Sequence, residues 1–275
     1  MKDNKIEEIT KKLEEGVKGI YEGEGYKAFL DVMSKFHTYS VNNCILIAMQ
    51  KPEATQVAGF KSWQKNFKRS VKKGEKAIKI LAPIPHKFTK EIENEDGEKV
   101  QKEIQYMTFK AISVFDISQT EGEELPSICK MLKGSVEGFQ NLVDKLESLS
   151  PVPVAYEPIS GGANGYYSHA TNSIVVDAGL SEQHKVKTLI HEIAHSILHN
   201  KDNGEEKDAD RSTKEVQAES VAYTVCNWLG LDTSDYSFGY VAGWSAGREL
   251  KELTESMEVI RKIAGEIIEG LEDAA

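Results

Sequence analysis

The run TLIHEIAHSILH sets His191 and His195 four residues apart, with Glu192 beside the first. Four residues is about one helical turn, so on a helix both imidazoles leave the same face and reach one metal ion, with a carboxylate next to it. The helix has independent support, because Val186, Leu189, Ile190, Ile193, Ile197 and Leu198 form an apolar stripe that anchors it in a core. Composition alone produces this five-residue pattern in about one chain per hundred of this length, so the next helix must carry part of the argument. There RSTKEVQAESVAYTVC sets Glu215 and Glu219 four apart, on a helix striped by Val216, Ala218, Val221, Ala222 and Val225. Between the two, the polar loop KDNGEEKDAD reverses the chain so that the second helix faces the first.

A zinc enzyme takes three protein ligands and keeps a fourth position open. His191, His195 and one of the two glutamates supply that set for Zn2+. The pattern resembles the thermolysin-like zincins, in which the first acidic residue binds the metal and the one four later hydrogen-bonds a ligating histidine. Carried over, Glu215 is the ligand and Glu219 orients a histidine. Glu219 is longer than the aspartate usual there, which leaves the exchanged assignment open. Glu192 is then the general base for water at the metal, and the substrate is a peptide. The hairpin before the first helix offers an edge that an extended peptide can join. Tyr166, Tyr167 and Tyr240 are equal candidates for the oxyanion donor. The plain alternative is a pair of buried histidines with Glu192 in a salt bridge. His199 lies one turn further, about 6 Å along the axis, and reads as a surface residue or an outer partner of the site.

The chain has 275 residues, enough for one large or two modest domains, with 40% apolar and 28% charged residues as in a soluble globular protein. The start, MKDNKIEEITKKLEEG, lacks a leader's apolar core, and no apolar run approaches the roughly 18 residues of a membrane span. Cys44, Cys129 and Cys226 are odd in number and form no C-x-x-C pair, so the expectation is free thiols in a reducing cytoplasm. Net charge is -10, unevenly spread. Residues 51–90 hold eleven Lys/Arg against two acidic residues, a net of +9, whereas residues 126–275 hold 13 against 24, a net of -11. Two units with different partners follow.

Helical spacing of Ile6, Ile9, Leu13, Val17 and Ile20, then of Phe29, Leu30, Met33 and Phe36, predicts helices in the first 50 residues, with another from Asn42 to Gln50 stopped by Pro52. The runs AIKILAP, HKFTKEI and KVQKEIQYMTFKAISVFDI, with the turn NEDGE, predict a hairpin or meander of about three strands. The segment SQTEGEELPSICKMLKG has no period and reads as the linker. The second half predicts a helix at 136–148, a strand at VPVAYE, a hairpin of GYYSH and SIVVDA, and four helices near 181–199, 212–229, 236–246 and 249–271, the last closing the fold. The fold class is α+β, with units at 1–130 and 131–275 and a small sheet in the helical second one.

In KPEATQVAGFKSWQKNFKRSVKKGEKAIKILAP, Phe60, Trp63 and Phe67 alternate with lysines and Arg69. Cations neutralise phosphates and rings stack on unpaired bases, the composition of a single-strand binder; the same ring spacing also fits a helix face turned to a core. The run YSVNNCILIAMQKPEATQVAGFKSWQKNFKRSVKKGEKAIKILAP, followed by VFDISQTEGEELP, resembles the amino-terminal domain of ArdC-type antirestriction proteins, and the downstream half resembles their zincin-like metallopeptidase domain. The resemblance spans about residues 5–125 and 150–245. It implies a single-stranded-DNA-binding domain joined to a metallopeptidase, typical of plasmids and other mobile elements. The DNA-binding positions carried over are Asn42, Asn43, Trp63, Lys72, Lys73 and Lys76; for Asn42 and Asn43 a helix cap is the alternative. The competing overall reading is a non-catalytic, DNA-binding antirestriction or accessory protein with a structural metal.

Overall fold

The computed structural model describes residues 9, 11, 13, 15–21, 25–93, 99–124, 136–202, 204–206, 208–236 and 238–273. Helix α1 (Gly25–Lys35) and α2 (Val41–Gln50) lead into β1 (Val57–Gly59), the short α3 (Phe60–Asn66) and β2 (Arg69–Val71). Two long strands follow, β3 (Ile78–Glu93) and β4 (Lys99–Asp116), then β5 (Thr120–Gly122). After α4 (Val136–Leu149) come β6 (Val154–Glu157), β7 (Gly165–Ser168) and β8 (Ser173–Asp177), then α5 (Glu182–Leu198), α6 (Arg211–Trp228), α7 (Val241–Ser245) and α8 (Leu250–Asp273). The class is α+β as expected. The turn NEDGE, Cys129 and the linker around the expected 130/131 boundary lie outside the described residues.

Among the described residues three sheets have orders β1-β4-β3, β2-β5 and β6-β8-β7; β6 runs parallel to β8 and the other pairs there are antiparallel. AIKILAP and HKFTKEI are one strand, paired with β4 from Ile78–Val114 to Glu93–Lys99. Proline normally ends such a ladder, because it has no N–H to give. Here β3 is an edge strand, and alternation turns the backbone groups of 79, 81, 83 and 85 outward. Gln50 of α2 pairs with the backbone N–H and C=O of Lys79 (2.9 Å each), and Asn43 does the same for Leu81 (2.8 and 2.9 Å). Pro83 and Pro85 occupy the next two outward positions, where no donor is needed. The helix therefore covers the start of the edge and proline blunts its continuation.

Asp116 ties the end of β4 to the turn before β1. Its carboxylate accepts the N–H groups of Thr55 (2.8 Å), Gln56 (3.1 Å) and Ser118 (2.9 Å). Burial raises its pKa, and the bonds from Ser118, Thr55 and Gln56 more than reverse that, leaving it below the usual carboxylate value. Arg69 fastens β2 to β5 through Thr120 Oγ1 (2.8 Å), Thr120 O (3.1 Å) and Gly122 O (3.3 Å), so this cation of the basic run is structural.

One apolar cluster runs through the molecule, joining Ile9, Leu13, Val17, Ile20, α1 and α2 to α5, α6 and α8. Helix α1 lies on α6: the Tyr26 and Ser220 hydroxyls bond at 2.9 Å, and the Asp31 carboxylate accepts from Tyr223 Oη and from Asn227 Nδ2 (3.0 Å). Helix α8 closes the other side with Leu253, Met257, Ile260, Ile263, Ile267 and Leu271 buried, and Glu258 caps the Val41 N–H (2.8 Å). Cys44 and Cys226 are buried free thiols, and no described helix is long and apolar enough to cross a membrane.

Trp63 is fully buried, and its indole N–H donates to Phe115 O at 2.8 Å. Trp63→Ala should destabilise the chain by about 3–5 kcal/mol, the usual loss on emptying a large aromatic site. Asp31→Ala, which strands two donors, should lose about 1–3 kcal/mol. Urea unfolding followed by circular dichroism measures both, and a native midpoint for either variant would contradict these packing roles.

Candidate metal centre and basic face

Helix α5 starts at Ser181, whose hydroxyl accepts the His184 N–H, and α6 starts at Asp210, whose carboxylate accepts from Thr213 N (2.9 Å). Packed face to face, they bring His191 Nε2 and His195 Nε2 to 3.0 Å and set Glu215 Oε2 3.7 Å from each. A point equidistant from three atoms so separated lies about 2 Å from each, the length of a metal–imidazole or metal–carboxylate bond. These three residues are also the metal-ligand cluster found among the described residues. Glu219 lies elsewhere, with Oε2 3.2 Å from the other nitrogen of His191.

The tautomers follow from the outer partners. His191 Nδ1–H donates to Glu219, leaving the Nε2 lone pair for the centre. His195 Nδ1 lies 2.8 Å from His199 Nδ1, and His199 Nε2 lies 3.0 Å from Gln217 Oε1. Gln217 Nε2 donates onward to Ser256 Oγ at 3.3 Å, which turns its carbonyl toward His199. Burial pushes the His199 imidazole down to about 4, so it is neutral, donates through Nε2 and accepts through Nδ1. His195 must then donate through Nδ1, and its Nε2 lone pair also faces the centre. Two lone pairs at 3.0 Å repel unless a metal ion or a proton lies between them. The field agrees: burial lowers the His191 pKa, but Glu215 and Glu219 at hydrogen-bond range, with Glu192 beside them, lift it to about 10. Glu215 is correspondingly held below the usual carboxylate range, by His191 first and then by His195.

Glu192 is buried, and its carboxylate accepts the backbone N–H of Tyr167; burial raises its pKa, against the opposing pull of His191 and His195. The close approach of α5 to the sheet needs Gly165, where a Cβ would lie 2.6 Å from Thr188 Cγ2 and 2.9 Å from Val175 O. Two open clefts meet at His191 and Glu192. One of about 390 Å3 is lined by His184, Lys187, Asp235 and Tyr236, and one of about 530 Å3 by Tyr166, His169, Arg211 and Lys214. Strand β7 is the outer strand of its sheet. Because Asp177 N–H donates to Asn164 O (2.8 Å), alternation turns the backbone of Gly165 and Tyr167 to the free edge, beside Glu192. Of the three tyrosines, Tyr167 donates to Asn172 (2.8 Å), and Tyr166 and Tyr240 are both exposed.

The DNA-binding positions separate into free and committed. Lys72, Lys73, Lys76 and Asn42 are exposed, with Lys72 Nζ resting on Ser118 O at 3.0 Å. Trp63 is core and offers no face to a base, and both ends of the Asn43 amide are held by Leu81, so neither reaches a ligand. The cap of α2 is Ser40, which accepts the Asn43 N–H at 3.4 Å.

Residues 1–115 match the family model described as the N-terminal domain of anti-restriction factor ArdC, and residues 150–229, which contain both metal-site helices, match the IrrE N-terminal-like domain, a peptidase family. The chain is thus similar to an ArdC amino-terminal domain over its first part and to an IrrE-like domain over its second. An uncharacterized protein of Bacillus anthracis is 30% identical over 275 residues, 86% of this chain and 46% of that protein, so the chain spans about half its relative's length. The metal-free crystal structure of antirestriction ArdC protein from the R388 plasmid shares the fold, with TM-score 0.52 and 20% identity over 86% of each chain. The Mn(II)-bound structure of ArdC from the same plasmid aligns at TM-score 0.47 and 21% identity, over 86% of this chain and 85% of that one.

Sequence reasoning left His199 as a surface residue or an outer partner of the site, and the structure sets it against His195 Nδ1; the role of Gln217 was missed. The signal was there, because His199 continues the i, i+4 series of His191 and His195, and Gln217 sits between the two glutamates. His199→Leu or Glu219→Ala should weaken metal affinity about 10–100-fold while keeping the fold. Chelator competition against the native chain measures it, and an unchanged affinity in both variants would show that these partners orient nothing.

Proposed function

We propose that this chain is an antirestriction protein of a mobile element that binds single-stranded DNA through its amino-terminal unit (1–130) and hydrolyses peptides through a zinc-dependent unit (131–275), in the cytoplasm. The observation that carries the peptidase reading is the convergence of His191 Nε2, His195 Nε2 and Glu215 Oε2 at bonding range of one point, with the buried carboxylate of Glu192 alongside. Two neutral imidazoles and one carboxylate suit zinc, and the match to the IrrE-like peptidase family spans both helices. His191, His195 and Glu215 would hold the ion, with Glu219 and His199 fixing the imidazole rings. Zinc there would supply Lewis-acid polarisation of the scissile carbonyl.

The chain's own groups do the rest. A peptide lying along the free edge of β7 places its backbone beside Glu192. Glu192 takes a proton from the attacking water and passes it to the departing amine, and its raised pKa suits both halves of that exchange. Support for the nucleic-acid reading is the net of +9 over residues 51–90 and the exposure of Lys72, Lys73 and Lys76, together with the match to the ArdC amino-terminal domain.

Native protein prepared without chelators should hold about one zinc per chain by elemental analysis, and a His191→Ala/His195→Ala variant should hold none. Glu192→Gln should keep the metal and the fold but lose cleavage of a mixed peptide library, followed by mass spectrometry. Native-rate cleavage by that variant would remove Glu192 as base; a metal-loaded native chain that cleaves nothing would favour a structural metal. Lys73→Glu/Lys76→Glu should weaken binding of a labelled oligonucleotide and flatten its salt dependence, since fewer phosphates are neutralised. Equal anisotropy titrations for native and variant chains would refute the basic face.

A further inference from the structure

Past Ala82 the β3–β4 ribbon continues as two strands alone, beyond the span that β1 joins at residues 114–116. Alternation puts Ile84, His86 and Phe88 on one face with their partners Thr108, Tyr106 and Ile104. On that face the His86 and Tyr106 rings stack at 4.9 Å and 16°, and Phe88 meets Tyr106 edge-on at 5.9 Å. Thr108 Oγ1, 2.7 Å from His86 Nε2, fixes the imidazole. Phe88 is 46% exposed and Tyr106 48%, so ordered rings have their outer sides in water. Ribbons of this kind are normally covered, because exposed aromatic clusters favour association.

Charge selects the occupant. Lys110, opposite Ala82, stands at one end of the face and Lys90 at the other, both exposed. The acidic residue within the registers 82–90 and 102–110, Glu103, lies on the opposite face, paired with Lys87 at 3.0 Å. Flat rings bracketed by cations and free of carboxylates match a ligand with π-faces and an anionic backbone. A duplex hides its π-faces and a single strand exposes them. We propose that this face of the ribbon, with His86, Phe88 and Tyr106 between Lys90 and Lys110, is the base-stacking platform for single-stranded DNA. The assignment rests on the single-strand reading above and supplies the rings that buried Trp63 cannot.

Anisotropy titrations of the full-length chain with labelled oligo-dT, repeated across salt, test it. Phe88→Ala/Tyr106→Ala should lower affinity about tenfold or more, with the salt slope kept, because rings and not phosphate contacts are removed. Tyr106→Trp should retain affinity, and its emission should be quenched on adding oligo-dT. Native affinity in the double alanine variant, while Lys73→Glu/Lys76→Glu still weakens binding, overturns the platform and leaves the single-strand reading standing. No binding by the native chain removes both. Unchanged DNA affinity with loss of a native dimer, seen by light scattering, overturns the platform in favour of self-association.

Discussion

Everything at the metal centre depends on aiming two imidazole lone pairs at one point inside a packed interface. An imidazole can turn either nitrogen inward, and only a partner on the far nitrogen decides which. His191 has Glu219 and His195 has His199, so the decision is made by two different chemistries, one anionic and one neutral. The neutral relay works because it is buried: an imidazole on water would protonate near neutrality and cease to accept from His195, whereas burial holds His199 neutral down to about 4. Gln217 and Ser256 then fix its tautomer, reaching from α6 to α8. The closing helix is therefore part of the site's wiring as well as of the core.

The same helix α6 carries Glu215 and Glu219 on one face and receives α1 on another, through Ser220, Tyr223 and Asn227. Helix α1 leads to α2, and α2 grips the edge of β3 through Asn43 and Gln50. A continuous series of contacts thus joins the base of the β-ribbon to the metal-site helix. One core joins them, and the amino-terminal helices support both the ribbon and the metal-site helix.

What was legible in the sequence was what local periodicity and short spacing control. The i, i+4 histidines and glutamates on apolar-striped helices specified α5, α6 and the donors at the centre, and the α+β class followed from the order of elements. What was not legible depended on partners distant in sequence. Phe60, Trp63 and Phe67 have a spacing that suits a core as well as a stack of bases, and only the position of Phe115, across the sheet, puts Trp63 inside. Asn43 reads as a cap or a polar contact until Leu81 is placed beside it. Pro83 and Pro85 suggested a break because their harmlessness depends on which edge of β3 they face. His86, Phe88 and Tyr106 come together only through the register of two strands.

The ribbon also bears on how a chain of net charge -10 could hold a polyanion. Residues 126–275 carry a net of -11 and repel phosphates, but at physiological salt that repulsion fades over about 8 Å. Phe88 stands seven residues past Leu81, the last point where α2 grips the strand, or about 23 Å along the ribbon at the usual rise per residue. That is nearly three screening lengths. A strand bound at Phe88 would lie beside Lys90, with Lys110 nearer the base of the ribbon. The length of β3 and β4, longer than the sheet at their base requires, is then explained as a spacer. On that proposal it would separate a surface for nucleic acid from a centre whose carboxylates, Glu192, Glu215 and Glu219, must keep their negative field to hold a cation.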